Sequence, residues 1–294
     1  MDGAVLYLRI YCLGMPALAV YNFGNAVFSA VGDTRRPLYY LSIAGVINVV
    51  LNLFFVIVCK MAADGVALAS IISQYLSAVL VLLHMTRLTD SCRVEWKLLR
   101  LHGSEVGRIL GLGVPAGIQH MIFAVANLFI QVGINSFDST VVSGNSAAVN
   151  VDNVIYNVMA AFYTACSTFM GQNWGAGKKD RMMKSYYISL GYSFAIAAVL
   201  GAAFLLCGEP FLYIFTNDAD VVAAGMERMR IMCFSYCVSA FMDCTIAACR
   251  GLGRSFVPTV IVIMGSCVFR VIWVYTIFAH FHTIPSLYLL YIFS

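Results

Sequence analysis

Charge is what this sequence has least of: Asp, Glu, Lys and Arg make up 11% of its 294 residues, against roughly 25% in a soluble domain. That shortfall excludes water as the chain's main solvent. C-x-x-C is absent although there are ten cysteines, which removes the commonest zinc and dithiol frameworks. Most cysteines lie inside apolar runs (Cys166, Cys207, Cys233, Cys237, Cys244, Cys249, Cys267) and read as small, polarisable packing residues. No G-x-x-x-x-G-K-[ST] occurs, so the chain has no ATP engine of its own. H-E-x-x-H is missing, His84, His102, His120, His280 and His282 form no cluster, and no paired aspartates share a membrane segment. The pattern of a membrane-embedded hydrolase is therefore not met. Met1-Asp2-Gly3 carries no basic region and the apolar stretch after it is too long for a cleavable signal peptide.

What the sequence has instead is apolar length: 61% of it is hydrophobic. A helix needs about 20 apolar residues to cross a hydrocarbon core of about 30 Å. Runs of that length occupy 5–31, 38–59, 65–84, 109–136, 146–171, 185–206, 228–249 and 258–279, and another begins at 286. The expected fold class is all-α, a polytopic transmembrane helical bundle crossing the bilayer at least eight times. Arg35 and Arg36, then Arg87, Arg93, Lys97, Arg100 and Arg108, then Lys178, Lys179, Arg181 and Lys184, and finally Arg250 and Arg254 fall in every second connection. They are 13 of the 18 Lys and Arg. The positive-inside rule makes the 87–108, 172–184 and 250–257 connections cytoplasmic. The net charge of +4 is thus an orientation signal, and nucleic acid is not a partner.

Residues 7–57 and 228–278 align without a gap at a constant offset, sharing Arg9/Arg230, Ile10/Ile231, Cys12/Cys233, Gly32/Gly253 and Pro37/Pro258. Each copy reads as a helix, a tight Gly-to-Pro turn with basic residues, and a returning helix. Equal polarity of the copies makes this a parallel repeat, as in one class of secondary transporter. The second copy is preceded by three helices and the first by almost none. Equivalent lobes therefore imply roughly 110–120 further residues upstream and a two-lobed architecture. The expected organisation is 1–86 as the last three helices of a first lobe, 87–108 as an interlobe linker, and 109–294 as a second lobe of five helices and the start of a sixth.

GDTRRPLYYLSIAGVINVVLNLFF with GVALASIISQ (65–74), GLGVPAGIQHMIFAVANLFIQVGINSF (111–137), GQNWGAGKKDR (171–181) and CRGLG (249–253) together resemble the multidrug and toxic compound extrusion (MATE) family, in order and over nearly the whole chain. The resemblance implies a twelve-helix, two-lobed antiporter, monomeric when complete. It exports small organic cations in exchange for Na⁺ or H⁺ and uses no cofactor. A lipid-linked saccharide flippase of related architecture is the alternative. Such proteins line their cavity with basic residues, whereas the polar groups identified here are mostly amides and acids.

Charged groups inside the hydrocarbon cost about 2.5–3.5 kcal/mol each on insertion scales, so each needs a partner or a purpose. Asp152 and Asp243 are the acids inside spans, and Arg270 is the basic residue deep in one. Asp243, two turns before Arg250, is suited to bind Na⁺, exchange a proton or attract a cationic drug; the competing reading is an Asp243–Arg270 ion pair. Asn150, Asn153 and Asn157 form a stripe at i, i+3, i+7 beside Asp152, facing either a cavity or a neighbouring helix. On the 109–136 helix, Gln119, Asn127, Gln131 and Asn135 are polar, the last three on one face, and His120 is a titratable neighbour. No acid lies between Glu105 and Asp138, so coupling through a Glu of this helix is not implied. Asn48 and Asn52 occupy places where the family often shows Asn and Asp, able to coordinate but not to hold charge. Gly171, Gly175 and Gly177 read as the end of a helix rather than as a phosphate cradle.

Overall fold

The computed structural model describes residues 2–88 and 92–294. Met1, and residues 89–91 of the expected 87–108 linker, lie outside the described residues. No strand occurs among the described residues. The chain forms two compact units, Met1–Leu101 and His102–Ser294.

In the first unit, the run 5–31 is not one helix. It is α1, Asp2–Cys12, and α2, Met15–Ala30, bent by 48° at the break. The cause is Pro16 in the first turn of α2. It has no N–H to donate, and its ring clashes with the carbonyl four residues back, that of Cys12, where α1 stops. α3 runs Arg35–Val58, its last turn, Phe54–Val58, being π-helical. α4, Ala63–Arg87, packs against the three others. Ala17, Tyr21, Phe28, Ala78, Val81 and Met85 form the apolar core, and the buried Tyr21 hydroxyl donates to the Pro37 carbonyl at 3.2 Å.

The second unit holds α5 (Gly103–Ile134), α6 (Ser139–Gly175), α7 (Lys179–Leu212), α8 (Ala219–Gly251), α9 (Phe256–Phe281) and α10 (Ile284–Phe293). α7 is kinked at Cys207 (φ −122°, ψ 19°), just before Pro210. α9 contains π-helical turns at Ile263–Val268 and Val274–Phe278. The core is α6 and α8 with α7 against both, through Val151, Ile155, Met159, Ala197, Phe204, Met229 and Ala240. α6 and α8 are parallel. Gly144 meets Val221 and Gly225 at one end, and Gly171 meets Gly251 at the other. A Cβ on Gly251 would stand 2.4 Å from the Ser167 carbonyl oxygen, and one on Gly144 2.7 Å from that of Val221. Small residues at both ends bring the two backbones together, the usual means of tight packing where lipid offers no hydrophobic drive.

Among the described residues six helices are long and apolar enough to cross a membrane: α3, α4, α5, α7, α8 and α9; the bent α1–α2 pair, taken as one span, makes a seventh. α6, the counterpart of the expected 146–171 span, has the length but not the apolarity, because Asn145, Asn150, Asp152, Asn153 and Asn157 sit along it. Asn145 is buried against its neighbours, so packing hides part of that polarity from lipid. The apolar run from 286 appears as the ten-residue α10.

The repeat carries into the backbone. Gly32 and Gly253 both lie in the left-handed region, at φ 88° and 77°. The amides of Gly32 and Asp33 donate to Ser29 and Phe28, and those of Gly253 and Arg254 to Arg250 and Cys249. This is one Schellman closure repeated at the same offset, with α3 and α9 starting at matched positions, Arg35 and Phe256, and α4 and α10 at Ala63 and Ile284.

Candidate functional site

The second unit encloses a cavity of about 520 Å³ walled by α5, α6, α8, α9 and α10. Most residues picked out in the sequence converge on it. Gln119, His120, Asn127 and Gln131 line it from α5, Asp152 and Asn153 from α6, Asp243 from α8, and Arg270 from α9. Asn157 does not line the cavity; it is exposed, as is Asn150, which donates to its own helix at Ser146 (3.1 Å). Of the stripe, Asn153 alone lines the cavity. Asp152 beside it points inward. Asn48 and Asn52 belong to the first unit. Asn52 Nδ2 donates to Asn48 Oδ1 (3.0 Å), and Asn48 Nδ2 to Ser73 Oγ of α4 (3.1 Å). They bridge helices there. Gln131 Nε2 donates to Asn135 Oδ1 (2.9 Å), within α5 and its cap.

The two cavity acids are in opposite states. Asp152 is held through both oxygens: Oδ2 accepts from Arg228 Nη2 at 2.6 Å and Nε at 3.2 Å, and Oδ1 accepts from the Tyr236 hydroxyl. Arg228 Nη1 also donates to Asn145 Oδ1, which accepts from Tyr288 as well (3.3 Å). Its guanidinium lies 5.5 Å from the Tyr288 ring and 5.6 Å from Tyr291. Asp243 has no hydrogen bond or ion pair among the described residues, although it faces the same cavity.

Arg270 does not pair with Asp243. Its Nη1 donates to Asn127 Oδ1 (3.0 Å) and its Nε to Ser294 Oγ (3.1 Å), between the rings of Phe123 (5.2 Å) and Tyr291 (5.0 Å). In place of that competing reading stand amide, hydroxyl and ring contacts. Gln119 is buried and accepts from Arg250 Nη2 and Thr259 Oγ1, each at 3.1 Å. Arg250, placed by the sequence reading in a cytoplasmic turn, is thus drawn into the cavity wall. So is Arg228, which that reading left at a helix end. With them the lining holds three arginines and two aspartates rather than a single arginine. Tyr156, Tyr163, Tyr236 and Tyr291, also unsuspected, supply its aromatic faces.

Among the described residues no three His, Cys, Asp or Glu side chains approach closely enough to hold a metal. A Na⁺ at Asp243 would take its other ligands from neutral oxygens.

The family model MatE matches residues 1–54 and 115–276. A protein named probable multidrug resistance protein YpnP, from Bacillus subtilis, is 31% identical over 234 residues, 79% of this chain and 52% of that protein. A Shewanella oneidensis protein named FAD transporter is 23% identical over 74% of this chain and 49% of its own length. A solved outward-facing multidrug resistance MATE family transporter of the MOP superfamily superposes with a TM-score of 0.89 over 99% of this chain and 65% of that one, at 19% identity. The chain spans about half the length of the curated relatives it matches. Family model, relatives and fold agree, and this chain belongs to the MATE family.

Proposed function

We propose that this chain serves an alternating-access exporter in the cell membrane, in which small organic cations leave against an inward flow of Na⁺ or H⁺ and Asp243 is the carboxylate they exchange on. Transport rather than catalysis is the activity its family membership brings. The observation that carries the reading is the contrast between the two cavity acids. A carboxylate already held by an arginine and a tyrosine must break those bonds to trade partners; Asp243, in the same cavity with no hydrogen bond or ion pair among the described residues, need not. Binding of coupling ion and of drug at one carboxylate is mutually exclusive, which is what antiport requires. Each charge moving down 100 mV supplies about 2.3 kcal/mol, enough for a gradient of about 50-fold.

In this reading the units Met1–Leu101 and His102–Ser294 are parts of two lobes that work together in one monomer, and the 87–108, 172–184 and 250–257 connections face the cytoplasm. Ethidium or norfloxacin efflux from cells expressing the gene that encodes this chain is lost in Asp243→Asn at unchanged expression. Efflux at the normal rate in that variant removes Asp243 from the mechanism.

A second reading, an anionic cargo such as a lipid-linked saccharide, is favoured by the three arginines. The relative named FAD transporter points the same way, since FAD carries phosphates. It predicts that Asp243→Asn leaves cargo movement intact while Arg270→Gln stops it.

A further inference from the structure

A second cavity, of about 450 Å³, lies away from the first, in the hairpin of α7 and α8. Its polar lining is Glu209 from the last turn of α7, Tyr213 from the cap of that helix, and Glu227 and Arg230 from α8. The buried Val222 and Met226 form an apolar floor. Glu227 and Arg230 stand one turn apart, yet neither they nor Glu209 form an ion pair among the described residues, with no N···O approach within about 4 Å. The neighbouring charges are engaged elsewhere. Arg228 is on Asp152, Asp218 caps α8, and Asp220 sits in its first turn, where the helix dipole favours an acid.

The groove is placed where lipid headgroups lie. Arg230 and Arg250 are twenty residues apart on α8, about 30 Å, the thickness of a hydrocarbon core. Arg230 therefore marks the edge of the leaflet opposite Arg250, and the exposed Tyr213 beyond it sits as interfacial aromatics do. α7 and α8 run antiparallel, since Gly208 meets Met226 and Met229 while Gly201 meets Cys233. From the groove toward the hydrocarbon, Phe234 and Val238 follow Arg230 on one face of α8, each exposed, and Leu206 and Val199 are exposed on α7. A charged groove thus opens onto two apolar strips.

We propose that this groove seats the headgroup of a phospholipid bearing a primary ammonium, the phosphatidylethanolamine class. A phosphodiester oxygen accepts from Arg230, the ammonium donates to Glu227 and Glu209, and the acyl chains lie along the two strips. The ethylene link between phosphate and ammonium suits charges presented at i, i+3, about 5–6 Å apart at Cβ. Two acids against one arginine favour this zwitterion over an anionic lipid. They also call for N–H donors, which a trimethylated choline lacks. The site is separate from the larger cavity and independent of the exporter reading.

The test is native mass spectrometry of the purified, delipidated chain in detergent. The ligands are phosphatidylethanolamine, its N-methyl and N,N-dimethyl derivatives and phosphatidylcholine, all with the same acyl chains. Affinity falls along the series, by about tenfold from end to end, the worth of one charge-assisted hydrogen bond. Glu209→Gln/Glu227→Gln flattens the series to within about twofold, whereas Arg230→Gln weakens every member and preserves the slope. Phosphatidylglycerol binds less well than phosphatidylethanolamine, and soluble phosphoethanolamine competes only at far higher concentration. A flat series on the unmodified protein, a slope that survives loss of both acids, or preference for phosphatidylglycerol overturns the proposal. Competition by phosphoethanolamine at the lipid's own concentration overturns the assignment to lipid. The series is read on the unmodified protein, so it decides even where a variant fails to fold, and none of these outcomes bears on Asp243.

Discussion

The contrast between the two cavity acids assigns Asp152 to holding the second unit together and Asp243 to transport. Asp152→Asn tests it. The substitution keeps the shape and one hydrogen-bond acceptor but removes the charge opposite Arg228, whose side chain is 5% exposed against 14% for Asp152. Breaking a buried pair from one side costs about 3–5 kcal/mol because the remaining charge is uncompensated. Asn145 and the Tyr288 and Tyr291 rings still touch the guanidinium, which favours the lower end of that range. For a unit the size of His102–Ser294, the melting temperature in detergent falls by about 6–20 °C. Asp152→Asn/Arg228→Met removes both charges and recovers most of the loss, giving a double-mutant coupling well outside the additivity error of about 0.5 kcal/mol. The measurement is thermal unfolding of the four proteins by intrinsic fluorescence, Asp243→Asn being run beside them and melting near the unmodified chain. An Asp152→Asn protein that melts with the unmodified one, or a double variant worse than either single, refutes the assignment.

Two further outcomes follow from the backbone. Gly251→Ala forces a Cβ against the Ser167 carbonyl, an approach of 2.4 Å unless α6 and α8 move apart, and lowers stability by about 1–3 kcal/mol in the same unfolding assay; Gly175→Ala, with open space around it, does not. Gly32→Ala and Gly253→Ala each cost about 1–2 kcal/mol for placing an L-residue in the left-handed region, and their near equality checks that the two turns are the same device.

Spans were legible because apolar length is a property of composition, and the two turns because a glycine before basic residues and a proline has few other uses. What escaped has physical causes. Pro16 sits inside an uninterrupted apolar run, so hydropathy passed over a break that backbone chemistry imposes. Arg228 was placed at a helix end because the apolar run starts there, whereas α8 starts at Ala219, two and a half turns earlier. Arg250 was given to a loop by its charge, while Gln119, on another helix and 131 positions away, draws it inward. Of the asparagine stripe only Asn153 lines the cavity, since periodicity assigns residues to a common face without saying which face is covered. Asp243 and Arg270 were recognised by depth alone; that they stay apart is a matter of tertiary placement, which a single sequence does not encode locally.

The pairing of α6 with α8 has a bearing on how the protein is made. Asp152 leaves the ribosome 76 residues ahead of Arg228, and all of α7 is synthesised in between. During that interval α6, the one long helix of this unit too polar to count as a span on composition, carries a bare acid at a penalty of about 2.5–3.5 kcal/mol. That penalty is offset when the guanidinium of α8 meets the carboxylate. The ion pair thus makes α6 and α8 mutually dependent, each charge being matched only when both helices are in place.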